Sequence, residues 1–100
     1  MTAAEWLAAS ANGAPQDLVD RAALWLARVP ATGSASDQLA EAGRAALHGA
    51  IDAPAGRPAA ADLLAADALV TLALEARAVE DPAGLGAFAA TVRRTGAAIP

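Results

Sequence analysis

Between Ala59 and Glu80 the chain reads AAADLLAADALVTLALEARAVE, without a glycine or a proline. A run of strong helix formers of this length commits the middle of the chain to a helix. At about 100° per residue, Leu63, Ala66, Val70 and Leu74 share one side of it. Ala65, Leu69, Leu72, Ala76 and Val79 share nearly the opposite side. A helix with two apolar faces needs neighbours on both. One face is expected to pack on the chain's own body, and the other on more of the same chain or on a second subunit.

Between the two faces runs a polar ridge of Asp67, Thr71 and Glu75, with Asp62 and Glu80 on the other seam. Carboxylates on one ridge can bind a cation or serve in acid–base chemistry. Asp67 and Glu75 are two turns apart, roughly 12 Å along the axis, too far to share one cation unaided. The ridge therefore reads as a solvated seam, with Thr71 bonding back to its own helix.

The remaining segments are also helical. Thr2-Ala3-Ala4-Glu5 fits a capping box and opens a short arm over 3–11, with Trp6 and Leu7 as its only large apolar residues; Asn12-Gly13 ends it. Pro15 opens a second helix over 15–29, where Leu18, Ala22, Trp25, Leu26 and Val29 form one stripe and Asp17 and Arg21 are spaced as an ion pair. A third helix over 36–51 has Ser36 as N-cap and Leu39, Gly43, Ala46, Leu47 and Ala50 inward. Gly43 weakens a helix unless a neighbour crosses closely there. The Pro- and Gly-bearing stretch Asp52–Pro58 leads to the central helix, 59–80. Asp81-Pro82 starts the last helix, 82–95, with Leu85, Phe88, Ala89 and Val92 inward, Arg93 and Arg94 at its end, Gly96 as cap and a short tail. The expected fold is all-α: a single domain forming a compact bundle of four to five short helices around the central one.

About a third of the one hundred residues are alanine, an extreme share. Alanine contributes little buried area, so a small domain built this way gains from close helix packing and self-association. Without cysteine no disulfide can assist, and the reading is of a cytoplasmic protein in a reducing compartment. Glu5 stands where a secretory signal would carry basic residues, and Asp62, Asp67, Glu75 and Arg77 would be costly within a membrane span. The net charge of −4 and the pI near 4.6, with all seven cations scattered arginines, argue against a nucleic-acid partner.

Two stretches carry partial resemblances. Gly56 to Ala76, GRPAAADLLAADALVTLALEA, resembles the mid-chain segment of trans-polyprenyl synthases, where a GRP loop precedes a helix with a D-A-L-x-x-x-A-x-E pattern. That family's magnesium- and diphosphate-binding DDxxD cluster has no counterpart: Asp62 and Asp67 point about 140° apart. Arg44-Ala-Ala-Leu-His48 resembles the Arg-then-His motif of HEPN-type ribonucleases, but with three intervening residues where the family has at least four. Neither assigns a family.

Three functions follow. The first is a non-enzymatic interaction module that self-associates as a dimer, with Trp6, Leu7, Leu69, Leu72 and Val79 as interface candidates. The second is a small enzyme or ligand-binding protein using His48, with Asp52 and Glu41 as its carboxylates; the commoner role of such a histidine is an exposed side chain among charges. The third is a small regulatory partner of another protein. No cofactor, metal set, nucleotide loop, nucleic acid or membrane is expected.

Overall fold

The computed structural model describes residues 1–97. Five helices follow one another: α1 (Ala3–Ser10), α2 (Gln16–Arg28), α3 (Ala35–Asp52), α4 (Arg57–Glu80) and α5 (Leu85–Ala97), the last entered through a 3₁₀ turn at Pro82–Gly84. The radius of gyration, 12.8 Å, matches the ~13 Å of a compact chain of this length. The expected all-helical bundle around a central helix is what the chain forms.

Most helix ends follow from local chemistry. Thr2 and Glu5 form the expected capping box, with Glu5 N donating to Thr2 Oγ1 (3.1 Å) and Thr2 N to Glu5 Oε1 (2.9 Å). Gly13 supplies a left-handed turn (φ +84°) after α1. Asp81 caps the 3₁₀ turn through its side chain, with Pro82 next.

Several boundaries differ from the sequence reading. Pro15 is the N-cap of α2 rather than its first helical residue, and α1 ends one residue early. α3 is capped by Ser34, not Ser36, because Ser34 has Asp37 three residues on to complete a capping box. α4 begins two residues early at Arg57, with Gly56 as N-cap in a conformation (φ +149°) that suits glycine alone. α5 runs through Gly96, so that glycine does not cap it, and the expected tail over 98–100 lies outside the described residues.

α3 and α4 form an antiparallel hairpin that is the centre of the molecule and its largest helix–helix contact. Its core is small-residue packing: Leu39, Ala42, Gly43 and Ala46 on α3 against a stripe of Ala65, Ala66, Leu69, Leu72, Ala73 and Ala76 on α4. Gly43 permits the close crossing its sequence position implied. A β-carbon there would lie 2.8 Å from Val70 Cγ2 and 3.4 Å from backbone atoms of α4. α1 and α2 cover one side of the hairpin, while α5, among the described residues, touches α3 and α4 but neither α1 nor α2.

Long-range polar contacts fix this arrangement. Arg21 of α2, expected to pair with Asp17, instead reaches α4: its Nε donates to Asp62 Oδ1 at 2.5 Å and its Nη2 to the Pro58 carbonyl at 3.3 Å. Trp25 Nε1 donates to the same Asp62 oxygen at 2.8 Å, and its ring lies against Gly49 of α3. At the other end of the hairpin, buried Ser36 donates from its N–H (3.2 Å) and its hydroxyl (2.7 Å) to the Glu80 carboxylate.

Candidate interaction surface

α4 resolves its two apolar faces unequally. The side bearing Ala65, Leu69, Leu72 and Ala76 is wholly covered by the chain's own helices. Asp62, at its edge, is buried with them because Arg21 and Trp25 satisfy its carboxylate. The side bearing Leu63 and Val70 is half covered by α3 and otherwise open: Leu63 keeps 54 % of its surface and neighbouring Leu64 60 %.

Beside these two leucines lies a groove of about 890 Å³ between α3, α4 and α5. Ala40, Gly43, Leu47, Ala66 and Val70 form its floor, continuous with the core, and Phe88 and Val92 of α5 close one end. Small residues on α3 make it a recess, and the placement of α5 leaves the other end, by Leu47 and Leu63, uncovered.

The charged rim is largely self-neutralised. Arg44 pairs with Glu41 one turn earlier (2.5 Å), and the hydrogen bonds from Arg44 hold the Glu41 carboxyl below its ordinary range. Arg77 crosses from α4 to Asp37 on α3 (2.7 Å) and lies over the Phe88 ring, 4.2 Å from its centre, so one guanidinium ties α3, α4 and α5 together. Asp67 and Glu75, on the ridge, are exposed, and Thr71 donates to the Asp67 carbonyl (2.9 Å) as expected of a solvated seam.

The interface candidates separate sharply. Leu7, Leu69 and Leu72 belong to the core, so the expectation that they face a partner is corrected: helices of the same chain already cover them. Trp6 is half-buried against that core. Val79 is 72 % exposed but stands at the end of α4, away from the groove lining. The face of α4 that bears Leu69 and Leu72 is the buried one. On its other apolar face Leu63 is exposed, as is Leu64 beside it.

The catalytic candidates all lie on α3, and one of the three reaches the groove. Glu41 lines the groove and is engaged by Arg44; His48 and Asp52 lie outside that lining. His48 is half-buried rather than exposed, with Nδ1 shielded from water and without a hydrogen-bond partner among the described residues. Asp52 is exposed at the end of α3. Among the described residues no group of three or more His, Cys, Asp or Glu is placed to hold a metal ion, and no helix is long and apolar enough to cross a membrane.

A second recess, about 880 Å³, lies between α1, α2 and the segment before α3, with Leu7, Val19, Leu26 and Val29 among its lining. No protein-family model matches the chain, and neither a curated protein nor a solved structure shows significant similarity to it.

Proposed function

We propose that the protein is a non-enzymatic helical interaction module that self-associates through the open face of the α3/α4 hairpin. The observation that carries this reading is the pair Leu63 and Leu64, more than half exposed beside an apolar groove continuous with the core. Apolar side chains so placed are a poor surface for a lone chain and a good one for association. The patch holds a projecting part, the two leucines, next to a recessed part floored by Ala40, Gly43 and Ala66. A surface of that form is suited to a two-fold contact, in which each copy presents both parts to the other.

The alanine-rich core supports the same reading. Few large side chains are fully buried, Leu39 and Leu69 foremost, and a second copy adds apolar burial that the chain alone lacks.

The test is a pair of variants compared by circular dichroism and native mass. Leu64→Glu places a charge on the open face and is expected to keep the helical spectrum while shifting the protein to monomer. Leu72→Glu places the charge in the core and is expected to unfold the chain. A Leu64→Glu protein with the same mass as the wild type at every concentration would remove this face from the contact.

A further inference from the structure

Resting on the self-association just proposed, we infer that the contact between copies is an antiparallel pairing of α4 with α4, in which Arg57 of each copy meets Asp67 of the other and Leu64 packs on Ala60. Arg57, Ala60, Leu64, Asp67 and Thr71 recur at intervals of three, four, three and four, and all five are exposed. At 100° per residue they fall within about 80° of one another, diametrically opposite the buried stripe of α4. This spacing is that of a seam between paired helices.

Charge selects the register. Among the described residues neither Arg57 nor the Asp67 carboxylate has a hydrogen-bonding or charged partner, whereas Arg21, Arg44 and Arg77 are each engaged within the chain. In a parallel pairing Arg57 would face Arg57 and Asp67 would face Asp67, an arrangement of like charges. In an antiparallel pairing with the two-fold axis level with residue 62, position 57 faces 67 and position 60 faces 64, twice over. Both ends then carry an opposite-charge pair, and each projecting leucine falls on an alanine, which lets the helix axes approach to about 8 Å. Moving the axis one half-heptad toward the C-terminus would set Leu64 against Asp67 and leave Arg57 unopposed. The seam from 57 to 67 is only about 15 Å long, so the association is expected to be reversible on dilution, with Leu63 beside it extending the apolar area toward the groove.

The experiment is a charge-swap cycle on the full chain, followed by sedimentation velocity across a dilution series with circular dichroism to confirm folding. Arg57→Asp and Asp67→Arg each create like-charge pairs at both ends of the seam and are each expected to weaken association roughly tenfold. Combined in one chain they restore opposite charges, and the double variant is expected to return to within about threefold of wild type. Because both side chains are exposed, neither variant disturbs the fold, and the two single variants report independently. A dimeric protein whose mass is unmoved by either reversal, or whose double variant is no better than the singles, would overturn this register while leaving self-association intact. A wild-type chain that is monomeric at every concentration would overturn self-association itself, and this inference with it.

Discussion

Gly43 of α3 lies so close beneath Val70 of α4 that a β-carbon at position 43 would stand 2.8 Å from Val70 Cγ2. That approach sets the spacing of the hairpin, and with it the floor of the groove that both residues line. Gly43→Ala would gain about 1 kcal/mol in helix propensity but overpack a site whose other neighbours are backbone atoms. The net effect expected in urea unfolding is a loss of about 1–2 kcal/mol. Adding Val70→Ala should recover part of it, since the two positions share one contact. A more stable single variant would show that the helices do not approach this closely.

Asp62 accepts from both Arg21 and Trp25 on one oxygen, and the hydrogen bond from Arg21, followed by that from Trp25, outweighs burial and holds its carboxyl below the ordinary range. A carboxyl lowered on folding stabilises the native state above its unfolded pKa, and that stabilisation is lost as pH falls through the folded value. Thermal stability of the wild type should therefore be level near neutrality and fall below about pH 4. Asp62→Asn is expected to cost about 1–2 kcal/mol at pH 7, less than for a wholly buried pair because Arg21 keeps a third of its side chain in water. Its acid decline should also be shallower, with the part due to Glu41 remaining. An unchanged acid slope in the variant would contradict the assignment.

Ser36 and Glu80 close the opposite end of the hairpin. Glu80 accepts two hydrogen bonds at the first turn of α3, where the N–H groups have no partners within the helix. Ser36→Ala removes one of them from a fully buried site and is expected to cost about 1–2 kcal/mol. For a chain of this size that lowers the melting temperature by roughly 4–16 °C. An unchanged melting point would mean that the contact adds nothing.

These contacts also show where the sequence was legible. Helix content, the long central helix, the Thr2–Glu5 box, the turn at Asp81-Pro82 and the close crossing at Gly43 all depend on residues within a few positions, or on one residue's steric demand. Periodicity and capping chemistry suffice to read them. The partners of Arg21, Ser36 and Arg77 lie 41, 44 and 40 residues away in sequence, and no local pattern distinguishes Asp17 from Asp62 as the mate of Arg21.

The candidate surface was harder to read for a related reason. Both sides of α4 are apolar, so periodicity identified two faces without ranking them. Asp62 taken alone marks a wet seam, yet it accepts from Arg21 and Trp25 and is buried at the edge of the covered Leu69–Leu72 side. Leu63 and Leu64 are left outside. The exposed stripe from Arg57 to Thr71 is present in the spacing of the sequence, but its significance depends on knowing which side of the helix is covered.

The most direct measurement is the native mass of the wild-type chain by light scattering across a dilution series. Self-association through α4 predicts twice the 9.8 kDa chain mass at high concentration, falling toward the chain mass on dilution without loss of helical signal. A chain mass at every concentration would contradict it, and the open face beside Leu63 and Leu64 would then have to be explained by a partner of another kind.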